Sequence, residues 1–208
     1  MAALADTGTV EVAVLASFRE VLAILDDDIV MVAVDIPIGL PEAGRRACDV
    51  AARRHLGPRR SSVFPAPPRP LLGVHDYGHA LTMKQALDGR GLSKQAFHLL
   101  PKIAEVDAAL DADDQRAVVE SHPELAFARL KGRPADNSKR SEAGLAERRD
   151  LLRGVVGSLP SRPRGAGEDD LVDAVALTIT ARRLAEGTAE RVGDRTHDAR
   201  GLVMQIAW

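Results

Sequence analysis

The sequence predicts an α/β fold, and three stretches carry that expectation. Residues 9–15 (TVEVAVL) begin by alternating apolar and polar and then turn wholly apolar, which suits a strand. Phe18, Val21, Leu22 and Leu25 follow at helical spacing. Residues 29–40 (IVMVAVDIPIGL) then run apolar into Asp35 and stop at Pro37 and Gly39, as a strand buried on both faces does. Strand, helix and strand at this spacing mark an α/β chain.

Asp35 stands at the C-terminal end of that central strand. In open α/β sheets this edge is where ligands bind. An aspartate there also has a plain use, capping the turn through backbone amides. Partner residues elsewhere in the chain decide between the two.

A chain of 208 residues suits one domain, taken here as 1–208, with room for a substantial core. With 45% hydrophobic and 28% charged residues the composition is that of a water-soluble globular protein. Aromatic residues make up only 3%, so stacking platforms for single-stranded nucleic acid are poorly supplied. The net charge of −2 does not by itself indicate nucleic acid, but the charges are segregated. Seven arginines stand against one acid between Arg45 and Arg69, and seven acids against one arginine between Glu105 and Glu124. Such blocks form either a basic approach beside an acidic pocket or two solvated faces. The single cysteine, Cys48, excludes an internal disulfide and reads as a half-buried helix residue. No apolar run approaches the ~18 residues of a membrane span, and no basic-then-apolar leader opens the chain. A cytoplasmic protein with no membrane partner is expected.

The remaining elements follow from local signals. The Asp26–Asp28 run reads as a solvated turn. Arg45 to Leu56 reads as a helix stopped by Gly57-Pro58. Residues 61–70 (SSVFPAPPRP) are too rich in proline for a regular ladder and form an extended loop. Tyr77 to Leu110 reads as helix broken at Gly89-Arg90-Gly91 and restarted at Ser93. Ala117 to Glu120 is a short strand that Pro123 prevents from continuing. A polar loop from residue 131 leads into a helix ending near Leu152, and residues 158–167 form another loop. Glu168 to Glu186 is the clearest helix, with acids in its first turn, Arg182 and Arg183 in its last and Gly187 beyond. Residues 202–208 close the chain as an apolar strand.

Acidic residues recur at three of these positions. Asp170 and Asp173 share one face of the last helix, where like charges are unfavourable unless a cation lies between them. Asp169 as a cap and its neighbours as dipole complements account for the first acids, but less well for Asp173, a full turn in. Glu120 ends a second strand. If Asp35, Glu120, Asp170 and Asp173 converge, their hard oxygens suit Mg²⁺ or Mn²⁺. Two such ions about 4 Å apart activate water and stabilise a leaving oxygen in phosphodiester cleavage. His122 either orients a phosphate or satisfies its turn. Lys139 and Arg140 either neutralise phosphate or remain solvated, and Arg59 and Arg60 are further phosphate-contact candidates. His75 and His79 have metal-ligand spacing, but Gly78 argues against a helix there and no third ligand is evident. No phosphate-binding glycine loop and no serine nucleophile elbow is present.

VAVDIPIGLPEAGRRACD, RRSSVFPAPPR, GLSKQAF, VESHPELAF, SKRSEAG and DDLVDAVALTITARRLA resemble, in this order, the domain-of-unknown-function family 429. That family is described as predicted nucleases of the RNase H-like fold. The resemblance runs from about residue 30 to the C-terminus and implies an RNase H-like mixed sheet flanked by helices, with carboxylates at strand ends and on the last helix. Asp35 matches the family's central-strand aspartate, Glu120 the first acid of an E-x-H-P-E motif, and Asp170 and Asp173 a D-x-x-D-A motif. His122, Glu124 and Lys139 match further family positions. Members usually open on a strand with Gly-Val-Asp-Gly and a nearby Gly-Trp, whereas this chain opens MAALADTGTVEVAVLA. The first strand and its aspartate are therefore expected to be missing, through a late start or through loss of a ligand; Asp6 is not preceded by the apolar strand.

The functional expectation is divalent-metal-dependent phosphodiester hydrolysis on nucleic acid. Two alternatives stand beside it. One is an impaired member that binds nucleic acid or protein without cleaving. The other is a metal-dependent hydrolase or phosphotransferase acting on a small phosphorylated molecule.

Overall fold

The computed structural model describes residues 1–5, 8–25 and 29–208. Asp6 and the Asp26–Asp28 run lie outside the described residues. The architecture is α/β, with seven helices and short strands among the described residues.

Two strand pairs form the centre. β1 (Ala2–Leu4) pairs antiparallel with β2 (Val10–Val12). β3 (Val32–Val34) pairs in parallel with β4 (Val118–Glu120), Val34 opposite Glu120. A parallel bridge from Ser121 to Ala207 carries the second pair on to β6 (Ile206–Ala207), which runs antiparallel to β5 (Arg191–Val192). β1 is two alanines and a leucine, with no β-branched residue and no clear alternation, so it was not legible in advance.

Most of the helices start where a side chain accepts one of the first free amides. Ser17 opens α1 (Phe18–Leu22), Asp76 α3 (Tyr77–Asp88), Ser93 α4 (Lys94–Ala109) and Ser141 α6 (Glu142–Val156). α2 covers Ala47–Leu56 and ends at Gly57, and the following proline-rich loop carries short 3₁₀ turns but no strand. Gly78 lies within the first turn of α3 and does not break it, whereas His75 precedes the helix. The two histidines therefore do not share a helix face. α5 (Pro123–Lys131) is the helix that sequence reading missed. Pro123 reads as a stop to a strand, but a proline at the first helical position also starts a helix, because that amide would be unpaired anyway.

The β3–β4 pair lies between helical layers. Val32, Val34 and Val118 pack with Phe18 of α1 and Val106 of α4. On the other face Met31, Ala33 and Val119 meet Leu184 of α7 (Glu168–Ala185). Alternating strand residues thus reach opposite layers, as the period of two requires. α7 also packs against β1, α5 and α6, with Val175 and Ala176 completely buried. Among the described residues, no helix is long and apolar enough to cross a membrane.

Candidate active site

The strand end at Asp35 faces a cleft of about 700 Å³. The C-terminal end of β3, the proline-rich loop, the start of α5, the loop before α6 and the first turns of α7 all contribute to it.

The walls are held by two buried arginines that the sequence did not single out. Arg46, 2% exposed, donates from Nη1 to Glu120 Oε2 (2.6 Å) and from Nη2 to Glu120 Oε1 (2.7 Å) and Asp49 Oδ1 (2.5 Å). Its Nη1 also donates to the carbonyls of Ile38 (3.0 Å) and Gly39 (3.2 Å). Glu120 Oε2 accepts the Ile38 amide (2.7 Å), and Asp49 Oδ2 accepts that of Ala66 (2.9 Å). One guanidinium therefore ties the turn after Asp35 to β4 and, through Asp49, to the proline-rich loop. Burial opposes the Arg46 charge, but Glu120 and Asp49 outweigh it and hold the group well above its ordinary range. Gly39, at φ +75°, belongs to the same turn; a Cβ there would lie 2.9 Å from Met204 Cγ and 3.0 Å from the Leu202 carbonyl oxygen.

Arg148 does the same on the opposite wall. Its Nε and Nη2 grip the buried Glu124 at 2.6–2.9 Å, and Nη1 donates to the carbonyls of Asn137 (3.2 Å) and Gly144 (2.8 Å). The 137–139 loop presses so closely on α6 that a Cβ at Gly144 would lie 1.9 Å from Ser138 O. That loop presents Lys139, whose Nζ donates to Asp173 Oδ2 at 2.7 Å. Gly144→Ala must therefore displace the loop; loss of the Lys139–Asp173 contact, read by nuclear magnetic resonance of the lysine ammonium, is the expected outcome.

Of the four expected carboxylates, the structure brings Asp35 and Asp173 together. Asp35 is open to the cleft, yet its carboxyl is pushed up to about 7. Burial contributes most, then the negative charges of Asp173 and Glu124, while Lys139 acts in the opposite sense. Asp173 is also raised, by burial, despite Lys139 beside it. Its Oδ1 is buried and has no hydrogen-bond partner. Asp170 is exposed at the lip and accepts the Gly167 amide at 2.8 Å, which caps α7. Glu120 differs most from expectation. Both of its oxygens are taken by Arg46, so at the strand end it braces the turn rather than facing the cleft as a free ligand.

The substrate-contact candidates divide similarly. His122 Nδ1 accepts the Glu124 amide (3.2 Å) as the cap of α5, and Nε2 meets the Ser62 carbonyl (3.1 Å). Nδ1 serves the turn and Nε2 ties it to the distant Ser62, and burial lowers the ring's pKa, so the ring is neutral with its proton on Nε2. Arg59 donates to the Ala135 carbonyl at 3.0 Å and to the Asp136 carbonyl. Arg53 bonds the Val63 carbonyl, and Arg69 pairs with Asp107 and Asp198. Much of the arginine-rich segment is thus tied into the fold, while Arg45, Arg54 and Arg60 are exposed. Cys48 is fully buried rather than half-buried, and burial pushes its thiol up to about 12. Maleimide at neutral pH should label it only after unfolding, as mass spectrometry would show.

The fit to a divalent cation is partial. Among the described residues, no group of three or more histidine, cysteine, aspartate or glutamate side chains could hold a metal ion. Two neighbouring carboxylates, one with an unpartnered buried oxygen, do suit Mg²⁺. That ion is often held by one or two carboxylates, with water and substrate phosphate completing its shell.

The family model described as "Protein of unknown function (DUF429)" matches residues 1–198. The chain belongs to that family. No curated protein and no solved structure matches it. In this DUF429 member, the motif residues Glu120, His122 and Glu124 serve first as scaffold. Asp35, Asp173 and Lys139 line the cleft together, Lys139 paired with Asp173. Arg46 and Arg148 were missed because a charged residue in a helix ordinarily reads as solvated. The detectable signal was a carboxylate in an apolar strand, which needs a buried partner.

Proposed function

We propose that the protein is a divalent-metal-dependent phosphodiesterase of RNase H-like type that acts on nucleic acid. The observation carrying this reading is the Asp35–Asp173 pair beside Lys139, with Asp173 Oδ1 buried and unpartnered, at an open cleft edged by basic residues. Asp35 and Asp173 would hold the cation, which when bound supplies Lewis-acid stabilisation of charge on a phosphoryl oxygen. Lys139 neutralises part of the carboxylate charge and would contact a phosphate, and Arg140 beside it at the cleft would extend the positive potential outward. Arg46 and Arg148 position the turn and the loop that carry these groups.

The test is cleavage of single-stranded, duplex and branched DNA and of RNA with Mg²⁺ or Mn²⁺, using Asp173→Asn as the control. Metal-dependent cleavage lost in that variant supports the proposal. Cleavage unchanged in the variant overturns the site. Turnover restricted to small phosphate esters would assign the cleft to a small phosphorylated substrate instead.

A further inference from the structure

The chain has four phenylalanines, one tyrosine and one tryptophan, and packing accounts for all but one of them. Phe18, Phe127 and Trp208 are buried. Tyr77 and Phe97 meet edge to face, with ring centroids 5.5 Å apart. Phe64 is the exception: it is 39% exposed and lines the cleft that holds Asp35 and Asp173.

A lone exposed apolar side chain needs no explanation in general. Phe64 differs because the backbone on both sides of it is fixed. The Ser62 carbonyl meets His122 Nε2 at 3.1 Å, and the Val63 carbonyl accepts Arg53 Nη1 at 2.5 Å. The Ala66 amide donates to Asp49 at 2.9 Å. Between these anchors Pro65 fixes its own φ and steers Phe64 to extended backbone. Val63 and Ala66 enter separate apolar clusters, and Phe64 enters neither. A rigid loop thus presents one phenyl ring to the cleft, so little ordering remains to oppose a contact on it.

The cleft is divided in chemistry. Asp35, Asp173 and Lys139 line it with charge, whereas Phe64 shares it with Pro67, Leu99 and Ile103. Ile103 packs with Ala66 and Leu99, which joins the α4 wall to the loop that carries Phe64. Gln95, exposed in the first turn of α4, also lines the cleft. A flat ring joined to a phosphate meets both halves at once; an apolar peptide side chain would meet only one.

We propose that Phe64 is the platform on which one unpaired nucleobase of the substrate stacks, while a phosphate of the same strand lies at Lys139. The inference rests on the nucleic-acid reading given above and adds the state of the strand: the base must leave its partner to offer a face. Stacking of this kind tolerates any sequence, because every base has a π-face. Gln95 both donates and accepts, so its amide suits more than one base edge. One ring serves one base, in keeping with a chain so poor in aromatic residues.

The test is fluorescence anisotropy of the full chain with two labelled single strands, a deoxyadenylate decamer and an abasic decamer of the same backbone. A chelator at pH 6 withholds the metal that cleavage needs and leaves Asp35 largely protonated. The wild type should bind the deoxyadenylate strand at least about fivefold tighter, the low end of what one stacked base contributes. Phe64→Ala should remove that difference, and so should Phe64→Leu, which serves if the first variant misfolds. Phe64→Trp should keep it, and the emission this change adds should be quenched by the deoxyadenylate strand only. Lys139→Gln should weaken both strands alike. Equal binding of the two strands by the wild type overturns the platform and leaves phosphate binding by the cleft standing. So does a difference that persists in Phe64→Ala and Phe64→Leu. Binding of neither strand overturns the nucleic-acid reading and the platform with it.

Discussion

Replacing Arg46 with methionine is expected to destabilise the protein by about 3–5 kcal/mol, because the change strands two buried carboxylates. Glu120 and Asp49 have side-chain exposures of 6% and 0%, so water cannot replace the lost guanidinium. For a chain of this size the melting temperature should fall by roughly 6–20 °C. The penalty has a definite pH dependence. Burial first, and the Asp49 charge after it, push the Glu120 carboxyl up even in the intact network, where Arg46 is the main influence pulling it down. Without Arg46 its pKa rises further, so over a wider pH range the folded protein binds a proton that the unfolded chain releases. Stability is then greatest below the ordinary glutamate range and declines as pH rises through the elevated folded value. Calorimetry should therefore find a wider gap from wild type at pH 8 than at pH 5. Adding Glu120→Gln and Asp49→Asn to Arg46→Met should recover part of the loss. A single-variant penalty below about 1 kcal/mol would show that the network does not hold the turn.

Asp35→Asn is expected to have opposite effects on metal binding and on stability. If Asp35 holds a divalent cation, the amide should weaken Mg²⁺ binding by about 100-fold or more, since loss of even an outer partner costs about 10- to 100-fold. In metal-free protein the same change should stabilise the fold at alkaline pH. The folded pKa of about 7 lies above the ordinary 3.8, so the folded state binds more protons between those values. That contribution is fully present below about 4 and is lost as pH rises through about 7. Above pH 7 the wild type carries an ionised Asp35 beside Asp173, and the asparagine variant does not. Melting curves from pH 5 to 9 in a chelator, paired with Mg²⁺ titration calorimetry, measure both effects. Unchanged Mg²⁺ affinity with raised alkaline stability would assign Asp35 to electrostatic strain without a metal role.

The types of most elements were legible because their causes are local. Caps such as Ser93 and Ser141 sit beside the amides they satisfy, and the periodicity of α7 repeats within its own length. The strand ending at Asp35 was legible for the same reason, as an apolar run stopped by turn residues. The site residues were only half legible. Asp35 and Asp173 emerged from strand-end position and helix spacing, but so did Glu120, whose fate depends on an arginine 74 residues away. Nothing local distinguishes a carboxylate free to bind a cation from one neutralised by a distant guanidinium.

From its order of residues alone, this chain determined which segments are strand or helix and which acids stand at strand ends and helix starts. Tertiary structure decided which of those acids remain free. Among the described residues, it also paired β3 with the distant β4. Both decisions rest on pairings across long sequence separations, where burial turns a local charge or an unpaired backbone group into an energetic demand for one particular partner.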